Sequence, residues 1–396
     1  MKIVFSSLSG YGHVYPLLPL AIAAREAGHE VIYAADERFH PLLAGLGFAT
    51  VPAGMQIREA FGTFSAGTEG KAGDLQGWLE PAVRVFNEVL PRRFAADLLP
   101  VLRAEQPDLA VYEAGNPGAG LAAHSLGIPA VCHSLARADA VEVGDRWQEL
   151  GRELLRTVAA ELGVEVPEGQ YLLGDRYLDI YPPSLQETSF LARPERMPLR
   201  PVAFSESGEL PAIALAERKR PLVYLTLGTV VGTSPALRAA IDGLSVLDVE
   251  VVVAAGPNIS VAEFGVLPGN VHLVRWVPQA ELLPLVDLVV HHGGPGTTLG
   301  VAGAGVPQVV LPVGLDGFLN ASAVSDAGAG RRLLPEGVER GEDLRRTDVV
   351  CAAAVTEAAG GLLADPDARQ AAKAIAEEIA AMPGPDEFAA RLPEFC

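Results

Sequence analysis

A chain of 396 residues with 49% hydrophobic residues is long enough for two cores, and its formal net charge of -19 disfavours nucleic acid or an anionic membrane as a partner. Three distant cysteines, Cys132, Cys351 and Cys396, make neither a metal-ligand spacing nor a disulfide framework. No apolar run reaches the roughly 18–20 residues of a membrane span, and the N-terminus lacks a basic region ahead of a long apolar stretch, so the expectation is a soluble, cytoplasmic protein with no signal peptide.

In chain order, "KIVFS" reads as a strand that breaks into "SSLSGYGH". "PLLPLAIAAREAG" follows as a helix, with proline in its first turn and Gly28 as its stop signal. "EVIYAA" is a second strand and ends beside Asp36. Residues of about 55–95 fit no sheet pattern and read as inserted helices and loops. "PDLAVYE" is a strand, "GAGLAAHSLG" a helix and "PAVCHS" a strand. Residues of about 136–190 again read as inserted helices and loops, and a Pro-, Arg- and Glu-rich stretch from about 190 to 220 reads as a linker. The alternation restarts with "PLVYLTLG", a helix "ALRAAIDGL", "VEVVVAAG", "NVHLVRWV", "LVDLVVHHGG", a helix "TTLGVAGAG" and "PQVVLPV". A last helix, "PDARQAAKAIAEEIAAM", closes the pattern. Such alternation implies parallel sheets covered by helices on both faces, here an α/β fold of two doubly wound halves.

In open α/β sheets ligands bind beyond the carboxyl ends of the strands, so the residues there are the candidates for chemistry. "VDLVVHHGGPGTT" ends a buried strand in His291 and His292, then supplies Gly293, Gly294 and Gly296 before a helix starts near Thr297 and Thr298. Glycines admit a ligand close to the backbone, and a helix N-terminus attracts phosphate through its unpaired N–H groups. No lysine follows, so this is not a Walker A loop. From the residues alone it is either a phosphate cradle or a tight turn capped by threonine. Thr229, after Gly228 in "YLTLGTVVG", either reaches the same phosphates or caps a helix. The opening loop offers Gly10-Tyr11-Gly12-His13, lacks the third glycine of a dinucleotide fingerprint and carries a histidine in the turn. Asp36 keeps a dinucleotide oxidoreductase open as a reading. No acidic pair suits a metal, since "DPD" at Asp365–Asp367 reads as a helix start.

Together these stretches resemble the family 1 glycosyltransferases of GT-B fold. The likeness rests on "GYGHVYPLLPLA", "PDLAVYEAGN", "YPPSLQE", "RWVPQAELLP", "HHGGPGTTLGVAGAGVPQVVLP" and "AAMPGPDE", spread over essentially the whole chain. Within that family it most resembles the actinomycete antibiotic glycosyltransferases, especially those that decorate enediynes such as calicheamicin. The resemblance implies two Rossmann-like domains facing each other across a cleft. Residues 1–205 would hold the acceptor, 206–220 would link, 221–380 would bind the nucleotide sugar, and 381–396 would cross back to the first domain.

The resemblance also assigns roles. His13 matches the general base and Glu113 the carboxylate that orients it. Trp276 and Val277 match the nucleobase contacts, the indole by stacking and the valine by its backbone. His292, Gly293, Gly294, Gly296, Thr297 and Thr298 match the diphosphate cradle, assisted by Thr229. Asp316 matches the carboxylate on the donor sugar, with Gly317 and Asn320 beside it. Many members carry glutamine where Gly317 stands, which argues against glucose and for a 6-deoxysugar of rhamnose type on dTDP. Ser9, Gly10, Tyr11, Phe61 and Trp78 fall to the acceptor side, where Phe64, Phe86 and Trp147 line a pocket or belong to the core. The implied activity is inverting, metal-independent transfer from a dTDP- or UDP-sugar to a hydroxyl of a hydrophobic natural-product aglycone, an enediyne or polyketide, without a cofactor. A nucleotide-sugar 2-epimerase and a non-catalytic sugar-nucleotide-binding subunit stand as alternatives, and a homodimer as an open oligomeric state.

Overall fold

The computed structural model describes residues 1–63, 75–138, 145–169, 171–228, 234–334 and 351–396. Its first sheet contains β1 (Lys2–Ser6), β2 (Glu30–Ala35), β3 (Ala49–Pro52), β4 (Leu109–Glu113), β5 (Ala130–His133), β6 (Arg176–Asp179) and β7 (Arg196–Pro198). The second contains β8 (Leu222–Thr226), β9 (Glu250–Ala254), β10 (Val271–Val274), β11 (Leu288–His291), β12 (Gln308–Val310) and β13 (Gly330–Arg332). The orders are β3-β2-β1-β4-β5-β6-β7 and β10-β9-β8-β11-β12-β13, and every pairing is parallel. Helices on both faces explain why β4, β8 and β11 are buried along their whole length.

Two switch points follow from those orders. β1 lies between β2 and β4, and β8 lies between β9 and β11. In the first sheet Ser6 is level with Tyr112, so the loop after β1 and Glu113 meet at one carboxyl edge. In the second Thr226 is level with His291, which brings Gly228 and His292 together in the same way.

Two readings of the sequence need correction. β6 lies inside the segment taken as inserted helices and loops, and β7 lies inside the stretch taken as linker. Both strands are short and carry charge, which hid them from a search for apolar runs. Their charge is paired internally: Arg196 Nε of β7 meets the fully buried Asp179 carboxylate of β6 at 2.7 Å. The first helix also starts earlier than its prolines suggest, with a turn at Tyr11–Val14, a tighter turn at Tyr15–Leu17, and then Leu18–Glu26.

The C-terminal segment runs along the first half. Phe388, Ala389 and Leu392 are buried in the same apolar cluster as Ile3, Leu17 and Leu20. The backbone N–H of Arg200 donates to the Pro383 carbonyl at 2.8 Å, and that of Ser184 to Glu378 Oε1 at 3.0 Å. Among the described residues no helix is long and apolar enough to cross a membrane.

Phe388 is 1% exposed, and its ring stacks on Phe395 with centroids 5.5 Å apart. Phe388→Ala should therefore cost about 3–5 kcal/mol, as for other buried aromatic truncations. The check is a lowered denaturant midpoint together with faster proteolysis of the tail; an unchanged midpoint would mean the tail does not support the first half.

Candidate active site

The first cluster forms where β1 and β4 end. Glu113 has no exposed surface. Its Oε1 accepts the Leu8 backbone N–H at 3.1 Å, and its two oxygens lie 2.8 and 3.0 Å from His13 Nδ1. A carboxylate there requires the proton on Nδ1, which leaves Nε2 as the lone pair of a neutral ring. Gly10 permits this placement, because a Cβ at that position would stand 3.0 Å from His13 Cδ2. Burial alone would lower the His13 pKa, but the charge and hydrogen bond of Glu113 outweigh it and raise it above 6.5, and Asp316 adds to the rise. Asp316 sits in the first turn of the helix Gly314–Asp326, so a residue of the second half faces the imidazole of the first. Burial raises the Asp316 pKa, and the charge of His13 opposes that rise.

The second cluster is the loop after β11. The deeply buried His291 uses both ring nitrogens: Nε2 bonds Gln308 Oε1 at 2.8 Å and Nδ1 accepts the Gly293 N–H at 3.1 Å. Gln308 Nε2 in turn donates to the Thr298 carbonyl at 3.3 Å. Burial, then the neighbouring His292, pushes the His291 pKa down to about 3, so the ring is neutral and structural. His292 is held neutral too, at about 4, by burial. Its ring lies between two glycines: a Cβ on Gly228 would stand 2.5 Å from its Cε1, and one on Gly294 2.4 Å from its Nε2. Its buried Nδ1 has no protein partner.

The helix Pro295–Gly303 starts from this loop, and its first internal bond runs from the Thr298 N–H to the Gly294 carbonyl at 2.9 Å. Pro295 has no N–H, so the N–H groups of Gly296 and Thr297 stand ahead of that first bond. The side chain of Thr298, expected as a hydroxyl donor to phosphate, is buried and donates to the Gly294 carbonyl at 2.9 Å. Thr297 is half-buried, with its hydroxyl 3.4 Å from Gln279 Oε1.

Two residues expected beside the donor sugar pack against the loop. Gly317 packs backbone against backbone: a Cβ there would stand 2.8 Å from the His292 carbonyl oxygen, and one on Gly293 2.7 Å from the Gly317 carbonyl oxygen. Glycine at 317 thus has a packing reason of its own. Asn320 is 1% exposed; it accepts from the Tyr181 hydroxyl at 3.0 Å and donates to the Gly293 carbonyl at 2.7 Å. Tyr181 belongs to the first half, so this chain ties the glycine loop across the cleft.

Trp276 is 41% exposed after β10, whereas Val277 is 3% exposed and turns its side chain into the core. Tyr11 meets Trp276, with ring centroids 5.8 Å apart. The buried hydroxyl of Ser9, a residue expected on the acceptor side, accepts from Arg38. Phe61 is half-buried and stands edge-to-face on Phe86 at 6.2 Å. Trp147 has the Arg146 guanidinium 5.0 Å from its ring centroid. Asp36, the feature behind the dinucleotide reading, is occupied by Arg38, accepting its N–H at 3.0 Å and its Nε at 2.9 Å. Thr229, Phe64 and the Trp78 side chain lie outside the described residues. Gln308 and Tyr181 were not singled out for a role from sequence. The signal for Gln308 was a polar residue opening the buried strand "QVV".

Residues 238–395 match the family described as the C-terminal domain of erythromycin biosynthesis protein CIII-like proteins. The L-demethylnoviosyl transferase of Streptomyces niveus is 32% identical over 397 residues, covering 96% of this chain and 97% of that protein. The elloramycin glycosyltransferase ElmGT of Streptomyces olivaceus is 31% identical over 410 residues, covering 99% and 97%. Among solved structures, the glycosyltransferase SsfS6 of Streptomyces sp. SF2575, complexed with thymidine diphosphate, superposes with a TM-score of 0.78 at 27% identity, covering 100% of this chain and 99% of that one.

Replacing Glu113 by Gln keeps the shape and removes the charge that holds the His13 proton. Since the folded pKa of His13 is raised, its neutral form prevails only above that raised value. Glu113→Gln should move the crossover to lower pH, as followed by NMR titration of the His13 ring. An unmoved titration would show that Glu113 does not govern the histidine.

Proposed function

The chain belongs to the family 1 glycosyltransferases of GT-B fold, among the actinomycete antibiotic enzymes, and from that premise we propose that it transfers a deoxysugar from dTDP to a hydroxyl of a hydrophobic aglycone, with inversion and without a metal. The observation that carries this reading is the His13–Glu113 pair facing Asp316 across the cleft. An acceptor hydroxyl is a poor nucleophile at neutral pH. Neutral His13, 19% exposed, takes its proton at Nε2 while the oxygen attacks the anomeric carbon. Such general-base help is worth about 10²–10⁴-fold. Glu113 fixes the tautomer and stabilises the imidazolium that forms. Asp316, on the opposite wall, binds hydroxyls of the donor sugar.

The departing diphosphate gathers charge as the sugar bond breaks. The N–H groups of Gly296 and Thr297 and the helix dipole meet that charge, and the unpartnered Nδ1 of His292 offers one more donor. Gly228 and Gly294 make room for that imidazole beside the helix N-terminus. Trp276 stacks the nucleobase, and Val277 contributes its backbone. One displacement inverts the anomeric centre, so an α-linked donor yields a β-glycoside and a β-L donor an α-glycoside. The thymidine diphosphate bound to SsfS6 supports a dTDP donor, a relative that transfers 2-deoxy-L-fucose supports a deoxysugar, and the similar spinosyn rhamnosyltransferase SpnG supports the rhamnose type. The elloramycin glycosyltransferase relative supports a natural-product aglycone as acceptor, for which an enediyne or polyketide is the proposed class. The apolar contacts around Phe61 and Phe86 supply its surface.

The test measures dTDP release from a panel of dTDP-6-deoxysugars in the presence of polycyclic aromatic aglycones. His13→Ala should reduce transfer by about 10²–10⁴-fold while the calorimetric affinity for dTDP stays near wild type. Retained turnover removes His13 as the base, and tight binding of NAD with no response to dTDP or UDP overturns the reading.

If the helix N-terminus and His292 carry the leaving-group charge, dialysis against EDTA should leave the rate unchanged. Loss of activity restored by added Mg²⁺ or Mn²⁺ would refute that assignment.

A further inference from the structure

Among the described residues, the aromatic side chains that remain exposed are Tyr11 and Trp276, at 38% and 41%. They touch each other, with centroids 5.8 Å apart and planes tilted by 45°. One ring comes from each half, so the pair bridges the cleft. Apolar rings left in contact with water at a cleft mark a surface for a ligand.

Tyr11 is a fixed mount for the indole. Tyr15 and Phe39 hold it edge-to-face, at 5.3 Å and 76° and at 5.4 Å and 82°. Tyr15 is fastened in turn: Phe204 of the connecting segment lies 5.0 Å away at 73°, and the Tyr15 hydroxyl donates to Glu206 at 2.6 Å. Tyr11 cannot swing aside without breaking that chain of contacts. Trp276 follows the end of β10 on a loop, and Tyr11 is the aromatic contact that sets its plane. One side of the Tyr11 ring thus meets the donor half, whereas the sequence reading placed the residue on the acceptor side.

We propose that Tyr11 is a positioning residue of the nucleotide site, which orients the indole of Trp276 so that the pyrimidine base of a nucleoside diphosphate stacks on its open face. Base recognition is then assembled from both halves. Tyr11 also lies on the same turn as His13, two residues earlier, so a seated base steadies the element that carries the catalytic histidine. The inference rests on Trp276 being the platform for the base.

Calorimetry on the full chain tests it, with dTDP and UDP as ligands and pyrophosphate as a control that lacks a base. Tyr11→Leu and Tyr11→Met, the latter of longer reach but also without a ring, should weaken dTDP and UDP about 5–10-fold. Tyr11→Phe should stay within about twofold, and pyrophosphate affinity should hold in all three. In a Trp276→Leu background the Tyr11 changes should add nothing. Equal weakening of pyrophosphate, or a full Tyr11 effect without the indole, overturns the proposal. If Trp276→Leu weakens dTDP but the Tyr11 variants do not, only this inference falls. If Trp276→Leu leaves dTDP binding intact, the base-platform reading falls and this inference with it.

Discussion

Glu113 is a carboxylate without exposed surface, and a charge placed there is costly unless donors meet it. Two donors do, the Leu8 N–H of the loop after β1 and His13 Nδ1 of the helical turn that follows it. The loop therefore has one conformation that satisfies the acid, and that conformation presents the histidine at the cleft. Breaking such a buried pair by removing one partner typically costs about 3–5 kcal/mol, so the same contact serves stability and chemistry. The adjacency of β1 and β4 in the parallel sheet makes it geometrically available.

The second half solves the opposite problem, that of making room. His292 fits between Gly228 and Gly294, and Gly293 and Gly317 press their backbones together. Gly228 and Gly293 also have φ of +79° and +87°, where other residues are strained. His291 stiffens the loop from below through Gln308. The result is a rigid collar of small residues around one neutral imidazole, opening on the N-terminus of a helix.

The halves are not independent. Tyr181 reaches Asn320, which holds the Gly293 carbonyl. Arg137 pairs with Glu187 in the first half and also approaches the Leu319 carbonyl of the second, at 3.4 Å. The tail packs along the first half as well. These contacts place the glycine collar relative to His13, so each site is positioned partly by the other half.

Much was legible from sequence because it is local. The alternation of apolar strands and amphipathic helices, the glycines after β11, the histidine in the first turn and the acid ending β4 are patterns of residue type along the chain. The short strands β6 and β7 were not legible, because they span only four and three residues and Arg176, Asp179 and Arg196 interrupt any apolar pattern, although Tyr177 and Leu178 are buried in the core. The intramolecular contacts of Thr298, Gly317, Asn320 and Ser9 were not legible for a related reason. Each is a small or polar residue able to serve a ligand or its own backbone, and only burial and the nearest donors and acceptors in space decide which. The sequence by itself determined the strand ends that carry chemistry and the residue types found there. The tertiary structure decided that His13 meets Glu113 100 positions away, and that Tyr11 meets Trp276 of the other half. Pairing of that kind depends on which strands lie side by side and how the halves close, and no local pattern encodes either.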